Sequence, residues 1–472
     1  MHTQNYILGM VGVFTFATTV VFINHRKKIA FMNPTLWSSK NTTKYDMRYV
    51  LRKYKNGMRV LYICITPPSE LVYIRFITKV GMAMESEAKH AEASHFLEHL
   101  LATFTSTKHP SAHENNRSIE QRGGQSNAST SVYSTDYYIV GNSTDFPFYM
   151  DLIGNAFIDF KTDSSIFQQE KNAVVEELRM YQTEIWTPFA EATSSLLYPN
   201  HPISRTYAEC IENTHNFTPS SIQEYYHDSY GTNNTLLIIA SSLSVSEMEK
   251  EAFPFLNQEK IVTVPKPVPY RVVALKKPYS FFYKTESATA YSVVFMYNHN
   301  IGSFHKDRHA LYLICNILTN GFESILMKRA RTEEGLVYGF NCKVSMDEYT
   351  DKDSDFRIQT TCKKENVQKV INIVLDSVQS LCKTISKDDM SRIRNGLNIQ
   401  FMRANRNQSL HKFSKQYGHY ALYEKPIQKL YNVYQKQLAV SKEDLCKMSK
   451  IVFTPSNLIV AVSGNSDISI SL

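Results

Sequence analysis

His95 and His99 stand four residues apart in the run Ala93-Ser94-His95-Phe96-Leu97-Glu98-His99-Leu100-Leu101. At 3.6 residues per turn such a pair lies on one helix face, one imidazole above the other, and Glu98 projects only about 60° from the line of His95. Neutral imidazole nitrogen is a good zinc ligand. A catalytic zinc takes three protein ligands and keeps a fourth position for water, and a carboxylate beside it can take that water's proton. The third ligand must come from elsewhere in the chain. The run Glu170-Lys171-Asn172-Ala173-Val174-Val175-Glu176-Glu177-Leu178-Arg179-Met180-Tyr181 has helical spacing and sets Glu170 and Glu177 two turns apart on one face. Either can reach a metal from that face, whereas Glu176 points off it by one residue. A second helix would thus complete a His, His, Glu set, a composition that zinc hydrolases use.

The order His-x-x-Glu-His reverses the commoner His-Glu-x-x-His metallopeptidase helix, and Glu177 follows His99 by 78 residues. In both respects the chain resembles the pitrilysin or insulinase (inverzincin) family of zinc peptidases. The resemblance implies Zn(2+), one per chain, with His95, His99 and Glu177 as ligands, Glu98 as catalytic base, and Glu170 as a supporting acid at the catalytic site. It also implies that the strand after Gly123-Gly124 is an edge along which extended substrate lies, with Asn127, Ala128 and Ser129 as substrate-binding residues. Physically this is strand addition, in which backbone hydrogen bonds supply affinity and alternate side-chain pockets supply selectivity. In the second half, Gly321 to Tyr338 resembles the family's Leu-Arg-x-x-x-Gly-Leu-x-Tyr segment and implies Arg331 and Tyr338 as catalytic donors to the substrate carbonyl. A guanidinium and a phenol suit an oxygen that gains negative charge. One departure stands beside the motif: Glu92-Ala93-Ser94 occupies positions where relatives usually carry a Gly.

The elements that must position these residues belong to a large globular chain of 472 residues, 43% hydrophobic and 20% charged, long enough for two or more domains. Lys and Arg exceed Asp and Glu by 52 to 44, but the excess is spread out and forms no basic stripe, which excludes nucleic acid as a partner. Seven cysteines without a Cys-x-x-Cys pair argue against a disulfide scaffold and for a reducing compartment. Tyr6 to Ile23 is uncharged and just long enough, at about 1.5 Å per residue, to cross a bilayer core, and His25-Arg26-Lys27-Lys28 follows at once. This reads as a single membrane-anchoring hydrophobic helix with the body on the cytoplasmic or matrix side.

β-branched and aromatic runs at Val60–Ile65 and Leu71–Ile77 read as strands paired around the turn Thr66-Pro67-Pro68-Ser69, ahead of the motif helix. Phe148 to Phe160 reads as a helix. Alternating Pro265, Pro267 and Pro269 mark an extended linker. Beyond it, a strand at Ala290–Tyr297 followed by a helix from His305 to Leu318 repeats the strand-then-helix order around Val72 and His95, an internal duplication without the histidine pair. Helices at Val367–Leu381 and Lys387–Arg403 and a strand at Leu458–Gly464 complete the chain.

The expected fold is α+β: two similar halves, each a mostly antiparallel sheet covered by helices, together a clamshell. The expected division is an anchor and tether at 1–45, a metal-bearing peptidase half at 46–255, a linker at 256–272 and a metal-free homologous half at 273–472. Length and layout are most similar to the mitochondrial processing peptidase beta subunit. That implies a zinc metalloendopeptidase cleaving extended peptides, mitochondrial presequences in particular, at the matrix side of the inner membrane or, alternatively, anchored at the cytoplasmic face of another membrane. It also implies a second subunit, alpha-like or a second copy. The alternative is a non-catalytic core subunit of the respiratory bc1 complex.

Overall fold

The computed structural model describes residues 31–32, 46–66, 69–269, 275–346, 354–406, 410–430 and 433–472. Among them, segments within Met1–Tyr181, Arg205–Val268 and Phe401–Asn432 form one compact unit, and Gln182–Ser204, Pro269–Gln400 and Val433–Leu472 form another. Each unit therefore includes a segment from the other half of the sequence. The 1–45 anchor, with Tyr6 to Ile23, lies outside the described residues apart from 31–32, and no helix among the described residues is long and apolar enough to cross a membrane.

The first unit is built on β1 (Phe31–Met32), β2 (Asp46–Lys53), β3 (Arg59–Thr66), β4 (Leu71–Thr78), β5 (Gln125–Thr130), β6 (Thr135–Asn142) and β7 (Thr235–Ser241), in the order β1-β2-β3-β7-β4-β6-β5. All neighbours are antiparallel except β3 and β7. The expected pairing of the strands at Val60–Ile65 and Leu71–Ile77 is therefore corrected: β7 lies between them, parallel to β3 and antiparallel to β4. Every residue of β7, Thr-Leu-Leu-Ile-Ile-Ala-Ser, is buried, and a strand apolar on both faces gains most at the centre of a sheet. The real hairpin joins β2 to β3 at Asn56-Gly57, with Gly57 at φ 84°, a conformation that glycine adopts without strain.

One face of this sheet, with Val60, Tyr62, Ile74 and Phe76, packs on Phe96, Leu97, Leu100 and Leu101 of the motif helix (Ala93–Leu101) and on the helix Phe146–Ile158. The opposite face is met by the helix Leu410–Leu422. Tyr49 packs against Tyr417 with ring centroids 5.7 Å apart and the rings tilted by 57°, Tyr73 Oη bonds His411 Nδ1 at 3.0 Å, and a Cβ added to Gly418 would sit 2.5 Å from Ile238 Cδ1. Buried Arg59 closes the end of that helix by donating to the carbonyls of Ala421 (2.5 Å) and Leu422 (3.0 Å). The Pro-rich stretch is docked on this unit, with the Thr232 N–H donating to Lys260 O at 2.7 Å and the Val268 N–H to Ala83 O at 2.7 Å.

The second unit holds β8 (Tyr279–Lys284), β9 (Tyr291–His299), β10 (Val337–Ser345), β11 (Ser354–Cys362) and β12 (Leu458–Gly464) in the order β10-β11-β9-β12-β8, antiparallel except for β12 with β8. Reversed, this order is that of β3-β7-β4-β6-β5, with the parallel pair at the same place. One face packs on the helices Arg308–Thr319 and Val367–Gln379. The other face, through Val294, Met296, Ile459 and Ala461, packs on Phe189 and Leu197 of the helix Thr187–Leu197. Cys315 of the helix Arg308–Thr319 is bonded to Cys342 of β10, with Cα atoms 5.7 Å apart, a single bond among the described residues rather than a disulfide scaffold. The separation of 27 residues hid a helix-to-strand contact.

Replacing Arg59 with Met keeps the apolar stem and takes away the guanidinium donors, leaving Ala421 O with the Glu424 N–H at 3.2 Å and stranding the buried Leu422 carbonyl at the end of Leu410–Leu422. At about 1–3 kcal/mol for an unsatisfied buried group, R59M should destabilise the first unit by about 1–3 kcal/mol. Chemical denaturation would measure the loss, and hydrogen exchange should show the largest gain within 410–422.

Candidate metal centre

The motif helix carries its apolar residues at Ala93, Phe96, Leu97, Leu100 and Leu101, the spacing of a single buried stripe, which leaves His95, Glu98 and His99 on the face turned from the core. The carboxylate helix, Ser164–Gln182, buries Phe167, Val174, Val175 and Leu178 and turns Glu170 and Glu177 toward the histidines. Glu177 Oε2 lies 3.7 Å from His95 Nε2 and 3.4 Å from His99 Nε2. Among the described residues, these three form the one group of potential metal-binding side chains whose ligand atoms all lie within 4.8 Å of one another.

The atoms not aimed at this point are occupied. His95 Nδ1 donates to Glu92 Oε1 at 2.5 Å, His99 Nδ1 to Glu170 Oε2 at 3.3 Å, and Tyr181 Oη to Glu177 Oε1 at 2.9 Å. A nitrogen that donates to a carboxylate carries the ring proton, so each imidazole in its neutral form presents Nε2 as its lone pair. Outer partners of this kind accompany metal-ligating side chains, and the donor set has the composition that zinc takes. These residues fit a zinc ion.

Glu176 is turned to solvent and bonded to Arg179 at 2.6 Å; of the two carboxylates that helix geometry left open, Glu177 lies beside both Nε2 atoms and Glu170 lies behind His99. Glu98 sits beside the pair: burial pushes its carboxyl up, against the pull of His95 and the Thr130 hydroxyl. Asn127, Ala128 and Ser129 lie in β5, the edge strand of the sheet, whose Thr130 hydroxyl reaches the Ser94 carbonyl of the motif helix at 3.4 Å. In the second unit, the Arg331 guanidinium lies 4.7 Å from the ring centroids of both Phe322 and Tyr338, and Tyr338 is 83% exposed. Sequence reasoning missed Phe322, Tyr181, Glu92, Glu85 and Arg205. Glu92, three residues before His95, and Tyr181, four after Glu177, lay within helical reach of the centre; the others act through packing that no local spacing encodes.

Residues 62–209 match the model of the insulinase family (peptidase family M16), and residues 216–397 match that of the peptidase M16 inactive domain. The chain belongs to peptidase family M16. It is 27% identical over 248 residues to the uncharacterized zinc protease YmxG of Bacillus subtilis, covering 52% of this chain and 58% of that protein. It is 26% identical over 217 residues to Protease 3 of Escherichia coli, 45% of this chain and 22% of that one. The chain thus spans little more than half of the first relative and about a fifth of the second. Its fold is that of a Helicobacter pylori protease, at a TM-score of 0.74 and 19% identity over 88% of this chain and 99% of that chain. It is also that of pitrilysin, at 0.70 and 18% over 95% of this chain and 47% of that chain. Membership of M16 and zinc-protease relatives favour a metallopeptidase over a non-catalytic core subunit.

Without metal, this M16 centre is an ion pair. Burial works to lower His99, but its hydrogen bonds to Glu170 and Glu177 raise it to about 9. The hydrogen bond from His99 holds Glu177 down at about 2. The raised imidazole contributes stability that is full below its ordinary 6.5 and lost as pH rises through about 9. The depressed carboxylate contributes above its ordinary 4.5 and loses this as pH falls through about 2. A metal needs the deprotonated nitrogen, so zinc uptake at neutral pH should release about one proton and weaken as pH falls. Titration calorimetry in buffers of unequal ionisation enthalpy checks this; binding without proton release would place the metal elsewhere.

Proposed function

We propose that this M16 chain is a zinc endopeptidase that cleaves extended peptides, binding one zinc per chain through His95, His99 and Glu177. The observation that carries the reading is the convergence of two Nε2 atoms and one carboxylate oxygen, each ligand fixed from behind by its own partner. Zinc, when bound, supplies Lewis acidity toward water and a peptide carbonyl. Glu98 is the general base: a carboxyl raised by burial takes a proton from water and returns it to the leaving amine more readily than an ordinary carboxylate would. The free edge of β5, with Asn127, Ala128 and Ser129, offers backbone donors and acceptors to an extended substrate and lies beside the motif helix.

Arg331 and Tyr338 are assigned as donors to the substrate carbonyl. Support comes from the sequence resemblance and from the stacking of Arg331 between two rings, which restricts the guanidinium before substrate arrives. The finer reading, presequence processing of the mitochondrial type at the inner membrane together with a second subunit, rests on the resemblance in length and layout alone.

Glu98→Gln should retain zinc and lose turnover, since Gln keeps the shape and cannot accept the proton; cleavage of a peptide panel at the parental rate would remove the assignment. Tyr338→Phe should leave zinc content intact and lower kcat by about 10²- to 10³-fold with little change in KM, the mark of an interaction made in the transition state. Parental kcat in that variant would leave Tyr338 without a role in the chemistry.

A further inference from the structure

We propose that Glu92 is a positioning residue, whose carboxylate holds His95 with Nε2 toward the metal and which occupies its place at the expense of the fold. The inference rests on the reading of His95, His99 and Glu177 as a zinc site.

Glu92 is the residue before the first turn of the motif helix, and its backbone is left-handed, at φ 73° and ψ 2°. That region disfavours every side chain with a Cβ, and glycine enters it freely. A residue at this position often caps the helix with its side chain, but that of Glu92 makes no such bond. Its carboxylate instead turns to His95 Nδ1 at 2.5 Å, with its side chain only 8% exposed. The cap is supplied from outside. Glu85, 2% exposed, accepts the Glu92 N–H at 3.0 Å and the Ser94 N–H at 2.9 Å. Arg205 in turn holds Glu85, with Nη1 3.0 Å from Oε2 and Nη2 2.6 Å from its carbonyl.

Two carboxylates thus share a buried neighbourhood with one arginine. Burial and then Glu92 push the Glu85 carboxyl up, while three N–H donors work the other way, toward its ionised form. Both the left-handed backbone and the like charge count against folding, and a glycine at this position would relieve both. What a glycine would forfeit is the acceptor at His95 Nδ1. Loss of such an outer partner typically weakens metal binding about 10- to 100-fold, because the ring is then free to turn and its donor nitrogen is less basic.

The test compares Glu92→Gly and Glu92→Gln with the parent in the full chain, reading zinc affinity by competition with a chromophoric chelator and the thermal midpoint of the metal-free protein. E92G should bind zinc about 10- to 100-fold more weakly while its metal-free midpoint stays level or rises. E92Q, whose Oε1 still accepts from Nδ1–H, should remain within a few-fold of the parent. Opposite movement of affinity and stability is the sign that a merely structural residue would not give. Parental affinity in E92G would overturn the proposal, as would equal loss in both variants together with a lowered metal-free midpoint. A parent that binds no zinc would instead overturn the metal-site reading itself.

Discussion

The buried carboxylate of Glu85 fixes where the motif helix begins. Helix N-termini leave N–H groups without intrahelical acceptors, and an anion there also meets the positive end of the helix dipole. Here one carboxylate takes two of those groups, from Glu92 and Ser94, and Arg205 balances its charge from 120 residues away in sequence. Because His95 is the third residue of the helix, the position of that first turn is the position of the first imidazole. The Ser94 hydroxyl, bonded to Tyr225 Oη at 2.8 Å in the core, fixes the rotation of the same turn.

From that start the site is assembled by two amphipathic helices with the same division of labour. Each buries an apolar stripe and thereby aims a short row of polar side chains at the other. The stripe decides direction and the second row of partners decides precision: Glu92, Glu170 and Tyr181 each hold the outer atom of His95, His99 or Glu177. In the metal-free state the cost of three ionisable groups facing one another is offset by proton placement, with His99 holding a proton that Glu177 has given up. A centre of this kind is poised for a cation because the proton it holds is one that a cation can displace.

Much of the centre was legible in the sequence because its core is local. A spacing of four residues puts His95 and His99 on one helix face whatever the rest of the chain does, and Glu98 follows from the same arithmetic. The carboxylate was only half legible: periodicity left Glu170 and Glu177 open, and separating a ligand from its supporter depends on which imidazole nitrogen each meets. The strands at Arg59–Thr66 and Leu71–Thr78 were legible as strands and misread as neighbours, because turn residues between two apolar runs say nothing of a third strand arriving from Thr235. Nor does an apolar helix stripe name its partner sheet. Thr187–Leu197 and Leu410–Leu422 each cover the sheet of the unit on the other side of the linker in sequence, so a division into consecutive halves differs from the compact units at both segments.

The second unit shows how little of the centre the fold itself demands. Its five strands repeat the order of the first, and the helix Arg308–Thr319 follows β9 as the motif helix follows β4. That helix does the same packing work, burying Leu311, Ile314, Ile317 and Leu318. Its remaining face carries Tyr312, Cys315, Asn316 and Thr319, none of them an imidazole or a carboxylate. On this face Cys315 is bonded to Cys342 of β10, the edge strand that stands where β5 stands in the first sheet. Both helices are therefore attached to the edge strand of their own sheet, one by a covalent bond and the other through the Thr130 hydroxyl, which reaches the Ser94 carbonyl at 3.4 Å and the Glu98 carboxyl. The non-covalent attachment belongs to the unit whose edge we propose accepts a substrate strand, and the histidines occupy the face that the covalent attachment uses elsewhere. Packing reproduces the scaffold twice, and the chemistry follows from what the free helix face is used for.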